Sequence, residues 1–304
     1  MIPAPDILCI GAVLWDIIGR SPAAMRAGSD VPGRITRQPG GVAMNIAMTL
    51  ARFGLRPALL TAIGRDPEGD DLAAACARIG LITEHVYRSD DLPTDLYMAI
   101  EGANGLVAAI ADAHSLEAAG DKILRPLADG RLGSVQAPYP GLIALDGNLT
   151  EALLADIARS PLFAAADLRV APASPGKAER LLPLLSHPCA TLYVNLEEAA
   201  LLAKARFADA GTAAQALLDR GAARVLVTDG ARTCADAARG AGVITDIPPA
   251  VMVTRVTGAG DTFMAAHIVA ERRGAARAAA LRQALMAAAD HVSGEIGLSG
   301  RIGS

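Results

Sequence analysis

The sequence has few aromatic side chains and no closely spaced cysteine pair. Aromatic residues make up 3% of the 304 residues and hydrophobic residues 52%, so we expect a core built mainly from alanine, leucine, valine and isoleucine. Cys9, Cys76, Cys189 and Cys234 lie far apart and form no Cys-x-x-Cys element, which argues against a zinc knuckle or a thioredoxin-type redox site. The pattern is typical of buried or free thiols in a reducing compartment.

Long apolar runs and an excess of basic charge are also missing. No uninterrupted apolar segment reaches the ~18 residues of a membrane span, and the first residues lack the basic and apolar regions of a signal peptide. The net charge of −4 and a pI near 5.8 provide no basic footprint for nucleic acid. We therefore predict a cytoplasmic protein with neither a nucleic-acid nor a membrane partner.

Apolar strand-like segments alternate with helical ones along the chain. The strand candidates are 6–13, 57–64, 142–146, 167–171, 191–194 and 223–228, and the helix candidates are 40–54, 67–80, 150–159, 176–185, 196–204 and 211–220, with a helical tail over 261–292. This alternation predicts an α/β fold with a doubly wound, mostly parallel sheet and helices on both faces. Since no composition shift marks a linker, we expect one domain over residues 1–304.

Two regions interrupt that alternation. Residues 14–39 are polar and contain glycine, proline and short extended pieces, and residues 94–111 form two extended segments around Gly-Ala-Asn-Gly. The second pattern is a hairpin signal. Together the two regions predict a small sheet outside the main one.

The most informative local motif is TGAGD at residues 257–261, which precedes an apolar helical run. Glycines allow a ligand to approach the backbone closely, and the first N–H groups of a helix attract an anion. Gly258, Ala259 and Gly260 would then form an anion hole for a phosphoryl group, and Asp261 could accept the proton of an attacking hydroxyl. Alternatively, this is an ordinary glycine turn whose acid complements the helix dipole. The P-loop and the dinucleotide fingerprint are both missing.

Three motifs together resemble the ribokinase-like (PfkB-type) sugar kinases. PGGVAMNIAMTLARFG (39–54) and VTGAGDTFMAA (256–266) look like the two signatures of that family, and NLEEA (195–199) looks like its Asn-x-x-Glu element. The resemblance covers essentially the whole chain. It implies a ribokinase-like fold with a small β lid at about 14–39 and 94–112, transfer of the γ-phosphoryl group of ATP to a hydroxymethyl group, and a homodimer formed through the lid.

The resemblance also implies roles for individual residues. Asp261 would be the general base, and Asp16, Gly40, Gly41 and Asn45 would bind the sugar. A carboxylate and an amide together can satisfy the donors and acceptors of a vicinal diol.

Other matching positions would serve the nucleotide and its metal ion. Asn195 and Glu198 would organise Mg²⁺ and its waters near the phosphates, since hard oxygen ligands suit that ion. The same pair also fits a helix capping box, and both interpretations can hold. The nucleotide-binding candidates are Asn195, Thr228, Gly230, Thr257 and Gly260.

Shorter stretches resemble the pseudouridine kinases of that family and imply phosphorylation of the nucleoside 5′-hydroxyl. They are GSDVPGRITRQPGGVAMNIA (28–47), LVAAIADAHSLEA (106–118), IALDGNLTEALL (143–154) and PASPGKA (172–178). They add candidate contacts to the base or sugar at Ser29, Asp30, Asp112, Asn148 and Lys177. Each of these residues could instead be a solvated loop residue. The alternatives are a sibling kinase for ribose, another nucleoside or a ketosugar, and a non-catalytic sugar or nucleoside sensor.

The sequence departs from the family pattern at three places. Arg255 stands where many members carry Asp or Asn, an acid that helps bind a monovalent cation in some of them, so we expect no requirement for such a cation. Thr233 replaces the second glycine of the Thr-x-Gly-x-x-Gly nucleotide loop, which leaves the nucleotide preference open. His267 interrupts the apolar part of the second signature, and we expect it to be structural.

Overall fold

The computed structural model describes residues 4–26, 28, 30–254 and 256–294. Two predicted functional positions, Ser29 and Arg255, therefore lie outside the described residues. The strands in chain order are β1 (Ile7–Ile10), β2 (Leu14–Arg20), β3 (Arg34–Gly40), β4 (Pro57–Leu60), β5 (Ala62–Gly64), β6 (Tyr87–Ser89), β7 (Leu96–Gly102), β8 (Gly105–Asp112), β9 (Leu142–Asp146), β10 (Asp167–Ala171), β11 (Ala190–Asn195), β12 (Arg224–Thr228), β13 (Cys234–Ala238) and β14 (Gly242–Asp246).

The helices occupy most of the segments between the strands. They are α1 (Val42–Arg52), α2 (Pro67–Arg78), α3 (Ser115–Ala119), α4 (Arg125–Ala128), α5 (Glu151–Arg159), α6 (Leu196–Ala203), α7 (Ala210–Asp219), α8 (Ala259–Arg272) and α9 (Arg277–Ser293). Three 3₁₀ segments among the described residues cover Gly120–Leu124, Pro161–Phe163 and Pro175–Leu184. The last of these corrects the α-helix expected at 176–185. Pro183 lies inside this segment. Proline has no N–H to donate to a helical hydrogen bond, and its ring clashes with the preceding turn of an α-helix.

The main sheet has the strand order β14-β13-β12-β11-β10-β9-β1-β4. The run from β4 to β12 is parallel, whereas β13 and β14 add an antiparallel edge that the sequence did not predict. Successive residues of β1 alternate between two buried clusters. Leu8 and Ile10 pack with α5, α6 and α7, and Ile7 and Cys9 pack with α1, α8 and α9. Helices therefore cover both faces, and the predicted α/β fold class is confirmed.

A second sheet has the strand order β3-β2-β7-β8, and we call it the lid sheet. β7 and β8 pair antiparallel, with Leu96 opposite Asp112, which confirms the hairpin predicted around Gly-Ala-Asn-Gly. β8 is exposed along its whole length. Within the described residues, no helix has both the length and the apolar character needed to cross a membrane.

Candidate active site

Polar side chains collect at the carboxyl ends of the parallel strands. Asp146 ends β9, Asn195 ends β11 and Thr228 ends β12. Asn195 and Thr228 lie side by side as register partners. In open α/β sheets, ligands bind at this edge. The contacts described below show that the glycine loop and the start of α8 lie at the same edge.

Asp261 lies in the first turn of α8 and contacts α1 directly. Asn45 Nδ2 donates a hydrogen bond to Asp261 Oδ2 at 2.9 Å, although the two residues are far apart in sequence. Burial, together with the negative charges of Asp146 and Glu198, raises the pKa of Asp261 to about 7, although the hydrogen bond from Asn45 opposes the shift. A carboxyl group with a pKa near neutrality can both accept and release a proton, as a general base must.

The glycine loop opens α8 without a side-chain cap. Gly258 is the N-cap residue in the left-handed region, with φ +82°, and its carbonyl oxygen accepts the Thr262 N–H at 2.9 Å. Gly260 is exposed. Because α8 is 14 residues long, its first N–H groups and its dipole favour an anion at this point.

His291 on α9 lies behind this loop. Its Nε2 is 2.8 Å from the Thr257 carbonyl oxygen, and its Nδ1 is 3.2 Å from the Thr262 hydroxyl. The sequence analysis did not identify this residue, because no motif or spacing marks it.

Asp16 on β2 lies against the predicted sugar-binding loop. Burial raises its pKa to about 6. A Cβ on Gly40 would lie 2.1 Å from Asp16 Oδ2, and one on Gly41 would lie 2.4 Å from the Ala12 carbonyl oxygen. Gly41 also has φ +96°. Both glycines are therefore required for the carboxylate and the β1 loop to approach this closely.

Asp146 is a buried acid that the sequence analysis missed. It is fully buried, and its Oδ2 accepts the N–H groups of Ala12 and Ala43, both at 2.9 Å, while Oδ1 accepts the Asn148 N–H at 2.8 Å. A Cβ on Gly11 would lie 2.2 Å from Oδ2. Asp146 thus holds the end of β1, the start of α1 and the end of β9 together. Its signal was an acid at the end of a fully apolar strand, in LIALD.

Asn195 and Glu198 form the capping box at the start of α6. Asn195 Oδ1 accepts the Glu198 N–H at 2.9 Å, and Glu198 Oε2 accepts the Asn195 N–H at 2.8 Å. Glu198 is 7% exposed, and burial raises its pKa although the Asn195 N–H opposes the shift.

The donor chemistry of this edge suits Mg²⁺ that arrives with a nucleotide. Within the described residues, no group of three or more His, Cys, Asp and Glu side chains is placed to hold a metal ion. The negative charges of Asp146 and Glu198 nevertheless raise the pKa of Asp261, so a divalent cation would offset the charge of these carboxylates. Mg²⁺ commonly takes only one or two carboxylates and completes its shell with water and phosphate.

The remaining predicted positions divide into two groups. Lys177 Nζ donates to Asn148 Oδ1 at 2.8 Å, so two of the candidate base or sugar contacts lie together beside Asp146. The second group, Asp30, Asp112 and Gly230, is exposed. No hydrogen bond described above joins any of these three residues to Asp261.

His267 lies in a buried polar cluster with Arg224, the first residue of β12, and so toward the amino ends of the strands. Its Nδ1 is 2.9 Å from the Tyr193 hydroxyl, and burial lowers its pKa to about 4. It is fully buried, in agreement with the structural role expected for it.

Comparisons with known proteins bear on the family of this chain. The profile of the pfkB family carbohydrate kinases matches residues 4–295. A pseudouridine kinase of Arabidopsis thaliana is 29% identical over 100 residues, which cover 33% of this chain and 26% of that protein. The uncharacterized sugar kinase YeiI of Escherichia coli (strain K12) is 32% identical over 228 residues, which cover 72% of this chain and 59% of that protein. The chain thus spans less than two thirds of the length of either relative.

A solved structure shows the same fold. Arabidopsis thaliana ribokinase complexed with ribose and ATP superimposes with a TM-score of 0.76 at 21% identity, covering 95% of this chain and 93% of that one.

Proposed function

The chain belongs to the pfkB family of carbohydrate kinases, and we propose that it transfers the γ-phosphoryl group of ATP to the 5′-hydroxyl of pseudouridine, giving pseudouridine 5′-phosphate and ADP. The observation that carries the catalytic part is the carboxyl group of Asp261. It has a raised pKa of about 7, accepts a hydrogen bond from Asn45 and lies at the start of a glycine-opened helix.

The proposed step uses this geometry as follows. The substrate hydroxyl oxygen forms a bond to the γ-phosphorus while the bond from that phosphorus to the bridging oxygen of ADP breaks, and the hydroxyl proton passes to Asp261. The N–H groups of Gly258 and Gly260 stabilise the charge on the transferred group. The third predicted donor, the Ala259 N–H, donates to the Val256 carbonyl oxygen at 3.1 Å, so it would join the anion hole only by leaving that bond. Mg²⁺, when bound with the nucleotide, would neutralise phosphate charge, and Asn195 and Glu198 would hold its waters.

Binding of the two substrates is assigned to separate surfaces. Asp16, Gly40, Gly41 and Asn45 would bind the sugar, whereas Thr228, Gly230 and Thr257 would contact the nucleotide along with Asn195 and Gly260. Supporting this division, Asp16 lies against Gly40, and Asn195 and Thr228 are neighbours at the far end of the sheet edge.

The choice of pseudouridine rests on the residues that would read its base. The hydrogen bond from Lys177 to Asn148 places two of these candidates together, and a relative named pseudouridine kinase shares 29% identity over part of the chain. Pseudouridine carries an extra ring N–H that uridine lacks, and exposed Asp30 and Asp112 could accept it. A site built to pair such a group rejects the analogue that lacks it.

The deciding experiment measures kcat/KM for pseudouridine, uridine, ribose, adenosine and fructose with ATP and Mg²⁺. We expect pseudouridine to be the best acceptor, and Lys177→Met to raise the KM for pseudouridine more than that for ATP. Lys204→Met, on the αL residue that ends α6, serves as the matched control and should leave both values unchanged. A higher kcat/KM for any other acceptor would reject pseudouridine in favour of a sibling kinase, and binding without turnover would indicate a sensor.

We also propose that the protein is a homodimer in which lid sheets pair. The lid sheet exposes a set of large apolar side chains, whose exposed fractions range from 40% to 76%: Ile35, Met98, Ile100, Leu106, Val107 and Ile110. Such a patch marks a protein interface more often than bare surface. Sedimentation of the wild type and of Ile110→Glu tests this, with a shift to monomer expected for the variant and a monomeric wild type contradicting the proposal.

A further inference from the structure

The loop that opens α8 lacks the side chains that usually fix a backbone. Gly258 has φ +82°, and glycine has little steric preference between alternative backbone states. The peptide that joins Thr257 to Gly258 could therefore rotate at small cost. Its orientation matters, because the Gly258 N–H is one of the donors assigned to the transferred phosphoryl group.

His291 contacts that same peptide from behind. The Thr257 carbonyl oxygen, 2.8 Å away, can only accept a hydrogen bond, so Nε2 carries the proton. Nδ1 then accepts from the Thr262 hydroxyl at 3.2 Å. A Cβ on Gly258 would lie 3.3 Å from Nε2, so the imidazole ring also packs closely against the glycine.

Because the peptide is planar, the contact to the Thr257 carbonyl oxygen also determines the direction of the Gly258 N–H. The carbonyl of Thr257 and the N–H of Gly258 belong to one trans peptide and point in opposite directions. With the carbonyl held to His291 on α9, the Gly258 N–H points away from α9. The Thr262 contact, in the first turn of α8, fixes the ring relative to the helix that carries Asp261.

We propose that His291 is a positioning residue for phosphoryl transfer, holding the Thr257–Gly258 peptide so that its N–H is presented to the transferred group. This inference rests on the proposed function for the identity of the ligand at the loop. It names a residue on α9, 34 positions from Thr257, that would act on the transferred group only through the Thr257–Gly258 peptide.

The chain offers a matched control on the same two segments. The Thr254 N–H donates to the Val292 carbonyl at 2.8 Å, and the Thr254 hydroxyl donates to the same oxygen at 3.1 Å. Thr254→Val removes a side-chain bond between the loop and α9 but does not affect the Thr257 carbonyl. The backbone bond keeps the segments together in every variant.

The test compares kcat and KM for the best acceptor in His291→Leu, His291→Gln and Thr254→Val. His291→Leu should lower kcat ~10–100-fold, less than the full loss of an oxyanion-hole donor, with the acceptor KM within about twofold. His291→Gln, whose amide can donate to the Thr257 carbonyl, should recover most of the kcat, and Thr254→Val should match the wild type. An unchanged kcat in His291→Leu, an equal loss in Thr254→Val or no recovery in His291→Gln would overturn the inference.

A second measurement does not depend on turnover. The amide resonances of Gly258 and Gly260 in a ¹⁵N–¹H spectrum should shift or broaden in His291→Leu and stay unchanged in Thr254→Val. If His291→Leu does not fold, Thr262→Val replaces it, with smaller changes of the same kind expected. If the wild type phosphorylates no acceptor, the proposed function fails. The resonances still decide the inference, which falls if they are the same in the variant and the wild type.

Discussion

The two ends of α8 carry acids of opposite character. Asp261 near the start has its pKa raised to about 7 by burial and by neighbouring carboxylates. Glu271 near the end is also penalised by burial, yet its pKa is lowered overall by His267, Arg169 and Arg224. Both arginines form ion pairs with Glu271, whereas the hydrogen bond to Asp261 comes from the neutral amide of Asn45.

The same contrast holds for the surroundings of each end. Asp236 is fully buried and pairs with Arg224 and Arg277, so its pKa is lowered although burial alone would raise it. Around Asp261, Asp146 and Glu198 have raised pKa values because burial dominates. Acids paired with arginines at one end are suited to stability, whereas acids with raised pKa values at the other end are suited to proton transfer and cation binding.

The largest expected effect is on turnover in Asp261→Asn. A positioned general base contributes ~10²–10⁴-fold, so kcat should fall by that factor while the acceptor still binds, as measured by calorimetry. Asp236→Asn, the same chemical change in the paired cluster, is the control and should keep its kcat within about threefold. Comparable activity losses in the two variants would remove the distinction between the two ends.

The stability of Asp261→Asn should change in the opposite direction to its activity. Because the folded-state pKa of Asp261 is raised from 3.8 to about 7, its contribution to stability is complete below pH 3.8 and is lost as the pH rises through 7. The shift sets an upper limit of about 4 kcal/mol, and partial solvent access reduces it to ~1–2 kcal/mol. Asp261→Asn should therefore raise Tm at pH 8 and leave it unchanged near pH 3.5.

Asp236→Asn should lose stability instead. Removing one partner of a buried ion pair costs ~3–5 kcal/mol, because Arg224 and Arg277 then keep part of their charge unpaired. The folded-state pKa of Asp236 is lowered, so its contribution is present above the unfolded pKa and is lost as the pH falls through the folded value. Urea unfolding at pH 7.5 and at about pH 3, below the unfolded value of 3.8, should show a deficit that shrinks on acidification. A deficit that grows would mean that the cluster does not act through Asp236.

Sequence reasoning reached the parts of this site that local motifs encode. Gly40, Gly41, Gly258, Gly260 and Asp261 could be identified from the sequence because each lies in a local motif, and their roles stay predictions. The role of Asp146 could not be predicted, because the two N–H groups whose hydrogen bonds its Oδ2 accepts lie 134 and 103 residues away in the sequence. His291 shows the same limit, because only the packing of α9 against α8 brings it to Thr257.

Other parts of the fold depended on tertiary context in a similar way. The antiparallel strands β13 and β14 were missed because CADAA and GVITD are short and weakly apolar. The polar cluster around His267 was not predicted either. Arg169, Arg224 and Glu271 come from three separate elements, and no spacing in the sequence connects them.

The smallest expected effect concerns monovalent cations and tests whether the acids with raised pKa values near the start of α8 recruit one. By the family resemblance, Arg255 stands at a position where an acid would help to bind a monovalent cation, and it lies outside the described residues. A guanidinium is always charged and repels a cation at short range. Replacing choline chloride by KCl at constant ionic strength should therefore change kcat/KM by less than about twofold. Arg255→Asp restores the acid and should gain a measurable response to K⁺. A several-fold activation of the wild type by K⁺ would show that this end of α8 takes a monovalent ion despite Arg255.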